Sequence, residues 1–211
     1  MYIKEIWRYP AKSMAGKRIA ESPVTPLGLA HDRQILVVGA NGRVVTARTH
    51  HKLLGLKAKL TAHNEVEING LPWNAPAIRE LVQSIAGPGT QLTHYTGPER
   101  FDILPLLVAT DGAIGHMSID SRRLRPNIII GGVDGLAERQ WPGRRLKIGD
   151  VILAPAQLRG RCVMTTYDPD TLVQDRRVLQ NIVRELDGTM ALDTAVESPG
   201  LIREGDEVTL L

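Results

Sequence analysis

A single cysteine, Cys162, and a single phenylalanine, Phe101, stand among 211 residues. One thiol excludes an internal disulfide framework. It equally excludes a multi-cysteine zinc site and an iron–sulfur cluster borne by the chain, which takes four thiolates. Aromatic residues make up 4% of the chain, so there is no platform for stacking bases and the core is expected to be aliphatic. Charge of one sign is not abundant: 26 Lys and Arg against 23 Asp and Glu leave a net +3. That balance suits a small anionic ligand and is too slight to imply nucleic acid as a partner. No segment reaches the ~18 uninterrupted apolar residues of a transmembrane helix. The opening MYIKEIWRYPAKS holds no apolar core of signal-peptide length. A reduced, cytoplasmic setting without a membrane partner is therefore expected.

What the chain does have is punctuation. Twenty glycines and thirteen prolines imply frequent reversals and many short strands. RQILVV (33–38) reads as a buried strand, Gly39-Ala40-Asn41-Gly42 as a turn, and RVVTAR as the returning partner. KAKLTA and EVEI form a second pair, closed by Asn69-Gly70. Two main helices interrupt this pattern. Ala77, Ile78, Leu81, Val82 and Ile85 fall at helical spacing before Gly87-Pro88. Val178, Leu179, Ile182, Val183 and Leu186 do so between Asp175 and Gly188. Farther along, NIIIGG and QLRGRCVMTT read as strands, and LKIGDVILA and IREGDEVTLL share a polar Gly-Asp reversal typical of small barrels. The fold class is α+β and rich in β-barrel. GGVDG (131–135) lacks the context of a dinucleotide or phosphate loop. The six histidines are not at zinc-ligand spacing, and His50-His51 read as surface.

By itself Cys162 reads as a small apolar side chain filling a core, because free cysteine usually packs. Its surroundings open a second reading. In a strand, Gly160, Cys162, Met164 and Thr166 share one face, and Arg159, Arg161 and Val163 the other. Gly160 leaves room beside the thiol, and the arginines are expected to point away from it. Asp168-Pro169-Asp170-Thr171 is a turn sequence expected to support this strand. Elsewhere YPAKS, HDRQ and RPN place Lys12, Ser13, Arg33, Arg125 and Asn127 at strand ends. Each alone is an ordinary solvated loop end. Together they are donors suited to a phosphate and to the edge of a heterocycle.

YPAKS, GLAHDRQILVV, VVTAR, LRPNIII and GRCVMTTYDPDT, in that order, resemble the molybdenum cofactor sulfurase C-terminal (MOSC) domain family. The resemblance is to the subgroup that carries the MOSC N-terminal β-barrel, which includes amidoxime-reducing enzymes and bacterial reductases of N-hydroxylated bases. It spans nearly the whole chain and implies an N-terminal barrel domain over 1–86 and a MOSC domain over 87–211. It also implies a molybdenum–pyranopterin cofactor with Cys162 as the protein's metal ligand and catalytic residue. Lys12, Ser13, Arg33, Thr110, Arg125 and Asn127 match cofactor-binding positions, and Gly160 and Arg161 line the approach to the metal. Arg48 matches a recurrent arginine with no assigned role. Met14 stands where many relatives have cysteine, and Gly160 where close reductases often have serine. Neither an appended iron–sulfur module nor pyridoxal phosphate is expected.

The implied activity is removal of oxygen from small N-hydroxylated substrates, with electrons from a separate flavin, haem or iron–sulfur protein. The alternative from another class is a carrier that holds sulfur as a persulfide on Cys162, or hands on the cofactor, without turnover. The plainest alternative is a β-barrel binding module with an inert core cysteine.

Overall fold

All 211 residues are described by a computed structural model. Its centre is an eight-stranded sheet. Across the sheet run Thr209–Leu210, Leu146–Ile148, Val151–Gly160, Thr189–Ser198, Leu106–Thr110, Ile128–Gly131, Tyr2–Arg8 and Lys17–Ile19. Only Leu106–Thr110 and Ile128–Gly131 pair in parallel. Their connection carries a short helix, as a parallel crossover requires. The first strand of the chain thus lies beside Ile128–Gly131, with Ile6 opposite Ile128. Ile3, Ile6, Val108, Ile128, Ile130 and Leu192 meet in the main core beneath the sheet. That core is aliphatic apart from Trp141.

A second core gathers Ala11, Met14, Ile35, Val37, Leu53, Ile68, Ile78 and Val82. It lies among smaller sheets, one pairing Ile35–Val38 with Gln91–His94 and one joining Ala58–Leu60, Val66–Ile68 and Leu71–Pro72. Helix α1 (Pro76–Ala86) closes it, with Pro at its first position and Gly87 at φ 99 ending it. Helix α3 (Arg176–Leu186) is capped by the Asp175 side chain, which accepts from the Arg177 amide. Its Ile182 and Leu186 enter a third core with Leu107, Leu124 and Met190, while Val183 of the same stripe faces outward.

Several local expectations change. A third helix, α2 (Asp111–Met117), begins at Thr110, whose hydroxyl accepts from the Ala113 amide. RVVTAR does not return as a full strand. After the Val38–Val44 bridge the chain leaves the pairing, and Ala47 donates its amide to Ser13 Oγ at 3.0 Å. The real partner of Ile35–Val38 is Gln91–His94. The two Gly-Asp stretches meet in space, with Leu146 opposite Leu210 and Lys147 opposite Thr209.

The cysteine strand is also shorter than its letters imply. It stops at Gly160, and Cys162 caps a 3-10 turn, Val163–Thr166. Thr165 Oγ1 donates to the Cys162 carbonyl at 2.8 Å, and Thr166 Oγ1 to the Val163 carbonyl at 2.7 Å. Threonine hydroxyls that bond back to the main chain compete with a strand ladder, and here they win. Period-two alternation therefore ends at Gly160, and Arg159 and Arg161 line the same cleft as Cys162 instead of the opposite face.

Candidate functional site

A cleft at the end of the long strand brings together Cys162, Lys12, Ser13, Arg33, Arg125, Asn127, Gly160 and Arg161. Cys162 is half-buried. A side chain built at Gly160 would meet nothing within 4 Å, so the rim of the cleft at Gly160 is open. Thr110 is absent from this cleft. It is fully buried, and its hydroxyl caps α2 and donates to Glu138 Oε2 at 3.2 Å. Hence its oxygen is committed inside the protein.

Three of the assembled residues hold left-handed backbones: Ser13 at φ 68, Arg33 at φ 53 and Arg125 at φ 58. Such conformations cost about 1–3 kcal/mol each and persist where surrounding bonds fix them. The fixing network is visible. Asp32, fully buried, accepts from the Tyr9 amide at 2.8 Å, from Asn127 Nδ2 at 3.1 Å and from Arg33. Asn127 Oδ1 accepts from the Leu107 amide and from Arg33 Nη1, both at 3.1 Å, and its Nδ2 also donates to the Trp7 carbonyl at 3.3 Å. All four bonds of that amide are thus made within the protein. Asn127 positions Arg33 rather than offering free donors.

Charge in the cleft converges on one carboxylate. Lys12 Nζ lies 2.8 Å from Asp102 Oδ1, Arg48 Nη2 2.6 Å from Oδ2, and Arg159 Nη1 4.0 Å from the same oxygen. Burial pushes the Asp102 carboxyl up, but the Lys12 hydrogen bond and the three cations outweigh it and hold it below the usual carboxylate range. Burial pushes the Lys12 ammonium down, and its bond to Asp102 offsets only part of that. Arg48 is pushed down by burial and further up by Asp102 and the Cys162 sulfur, ending above its ordinary value. It therefore places a firm positive charge beside the thiol. Arg159 Nη2 also approaches Asp193 Oδ1 to 2.6 Å. That contact is out of line for a hydrogen bond, so the oxygen accepts none.

Several donors are left over. Arg125 Nη2, Arg159 Nε and Arg161 Nε are buried and have no hydrogen-bond partner. Burial lowers Arg125 and Arg161 to about 10, so both remain charged at neutral pH. Unsatisfied buried cations are costly. Their presence around one cleft marks a place built for an anion. A pterin with a phosphate and a sulfur-bound metal fits this donor set: soft thiolate for the metal, guanidinium and ammonium groups for the phosphate.

The loop after Cys162 has a structural role. Asp168 Oδ1 accepts from the amides of Asp170 and Thr171 at 3.1 and 2.9 Å, an Asx turn. Asp168 Oδ2 accepts from Arg123 Nη2 at 3.1 Å, while Arg123 Nη1 donates to the Thr166 carbonyl at 3.1 Å. Arg123 thereby clamps the turn that presents the cysteine. His51 stacks on Tyr167 with ring centroids 4.6 Å apart, so it is part of this support rather than free surface. Arg48, Asp102, Arg123 and Arg159 were not singled out as site residues in the sequence. Their role depends on convergence from separate segments, and only the Arg-Gly-Arg-Cys run offered a local signal.

Comparison with known proteins matches residues 1–96 to the MOSC N-terminal beta barrel domain and residues 107–209 to the MOSC domain. Mitochondrial amidoxime-reducing component 1 of Homo sapiens is 27% identical over 280 residues, covering 99% of this chain and 82% of its own length. Mitochondrial amidoxime reducing component 2 of Homo sapiens is 24% identical, covering 98% and 82%. These alignments span more positions than the 211 residues of this chain, so the relatives carry segments that it lacks. Among solved structures, the YUAD protein from Bacillus subtilis shares the fold with a TM-score of 0.55 at 13% identity, covering 99% of this chain and 94% of that one.

Proposed function

The chain belongs to the MOSC family, with the MOSC N-terminal barrel domain ahead of the MOSC domain, and we propose that it is a molybdenum-cofactor oxidoreductase acting on small N-hydroxylated compounds. One observation carries this reading. A half-buried thiol, a lysine and three arginines line one cleft, and each of those arginines carries a buried N–H group without a partner. Similarity to amidoxime-reducing components supports the substrate class.

When bound, the cofactor supplies two-electron removal of oxygen from the N–O group. This chain's residues do the rest. Cys162 would offer its sulfur as metal ligand, and Arg48 sets positive charge beside that sulfur. Lys12, Arg125 and Arg161 present cations and donors to the phosphate and the pterin, with Ser13 beside them. Asn127 and Asp32 hold Arg33 in its left-handed geometry. The open side of Gly160 leaves an approach for a small substrate. Electrons come from a separate flavin, haem or iron–sulfur protein, because one cysteine provides no cluster. A reducing, cytoplasmic compartment belongs to this proposal, since it keeps the ligand thiol free.

The test pairs molybdenum quantitation with benzamidoxime reduction driven by an artificial electron donor. The expected result is near-stoichiometric molybdenum and turnover, both lost in Cys162→Ala. Full activity in that variant would overturn the proposal. Molybdenum without turnover would favour a cofactor carrier, and a labile persulfide on Cys162 without molybdenum would favour sulfur transfer.

A further inference from the structure

Beside the cysteine cleft lies a wider one, about 840 Å³, that does not include Cys162. Its volume is within the range of small-molecule sites. The first half of the chain contributes Trp7, Tyr9, Lys17 and Lys57 to its lining. The second half of the chain contributes Arg125 and Tyr167, among others. Leu54, Ala58 and Met164 are among its apolar lining residues.

The charges in this cleft fall into two sets. Arg18 is paired with Glu204, Lys59 with Glu67, Arg122 with Asp120 and Asp170, and Arg123 with Asp168. Lys17 and Lys57 are exposed and have no carboxylate within pairing distance. Lys57 acts on Asp170 only through space. Two further groups are unsatisfied. Tyr9 is 3% exposed, and its hydroxyl has no hydrogen-bond partner. The buried Nη2 of Arg125 has none either. Two guanidinium groups lie over the Tyr9 ring, Arg125 at 4.4 Å and Arg33 at 5.0 Å. A buried phenol without a partner is rare, and here it borders an open, cationic, partly apolar space.

We propose that this wide cleft is a second ligand site, separate from the cysteine cleft, that takes a small flat aromatic compound bearing one anionic group. An apolar ring matches the apolar lining and the Trp7 and Tyr167 side chains, and the anion matches the unpaired Lys17 and Lys57. Aryl phosphates and aryl carboxylates share this chemistry. The inference does not rest on the cofactor. Arg123, Arg125 and Met164 border both clefts, so the lysines, not the shared arginine, discriminate between them.

The experiment is calorimetric titration of the full chain with phenyl phosphate, benzoate, inorganic phosphate and benzyl alcohol. Saturable binding of at least one aryl anion is expected, with inorganic phosphate and benzyl alcohol at least tenfold weaker. Whichever aryl anion binds tighter identifies the anionic group. The double variant Lys17→Ala/Lys57→Ala should weaken binding at least tenfold with its thermal midpoint unchanged, since both side chains are exposed. Cys162→Ala should bind the aryl anion as the parent does. Absence of saturable binding would overturn the proposal. So would inorganic phosphate binding as tightly as the aryl anions, unchanged affinity in the double-lysine variant, or loss of binding in Cys162→Ala.

Discussion

The cysteine cleft and the wide cleft beside it are both lined with lysine and arginine, yet they hold those charges in different ways. In the cysteine cleft Lys12, Arg48 and Arg159 converge on Asp102, and left-handed backbones at Ser13, Arg33 and Arg125 fix the rim. In the wide cleft Lys17 and Lys57 stand exposed and unpaired. The first arrangement is preorganised: its cations are already paired with a carboxylate before any ligand arrives, so little is lost in ordering them. The second leaves its lysine ammonium groups exposed to water, which suits weaker capture of an anion. Residue type alone does not distinguish the two clefts. Burial and carboxylate partners do.

That contrast can be broken or sharpened by substitution. The largest effect is expected from Asp193→Ala, because Asp193 is fully buried against Arg159. Removing one member of a buried pair costs about 3–5 kcal/mol, to be read from urea unfolding. A loss below 1 kcal/mol would show that the cysteine cleft is not held by its buried charges. Next comes Arg125→Ala, which removes a charge bordering both clefts. Loss of charge-assisted bonds worth about 1.5–3 kcal/mol should lower molybdenum retention and phenyl phosphate affinity roughly tenfold or more. An effect on only one of the two would mean that Arg125 is not shared. Thr110→Val should cost about 1 kcal/mol through loss of the α2 cap while molybdenum content stays unchanged. Lower content would return Thr110 to the cofactor site.

The smallest effect is a pH dependence. The Asp102 carboxyl is held below the usual range despite its burial. Its stabilisation is therefore fully present above its unfolded value, about 4, and is lost as pH falls through the lower folded value. Asp102→Asn should flatten the acid limb of a stability profile between pH 5 and about 2. A limb identical to the parent's would show that the three cations do not act on this carboxylate.

Much of the fold was legible in local sequence. Pro76 and Gly87 bracket α1, Asp175 and Gly188 bracket α3, and Asn69-Gly70 turns a hairpin, because caps and positive-φ turns are decided by neighbouring residues. The missed helix α2 had such a signal, a threonine cap followed by Asp111 in the first turn. The misread stretch is VMTT. Its alternation imitates a strand, while its two threonine hydroxyls close a 3-10 turn. Of the cleft, YPAKS, HDRQ and RPN supplied Lys12, Ser13, Arg33, Arg125 and Asn127. The sequence did not reveal that Asn127 is saturated inside the protein or that Asp102 joins three cations.

By itself the sequence determined the inventory: one thiol, an aliphatic core, many reversals and a set of basic strand ends. These follow from composition and from interactions between residues a few positions apart. Tertiary structure alone decided which basic groups share a carboxylate, which are left without one, and that Cys162 opens onto space rather than core. Those outcomes depend on strands far apart in sequence lying side by side, as Tyr2–Arg8 lies against Ile128–Gly131. Electrostatics at a few ångströms is then set by packing, not by proximity along the chain.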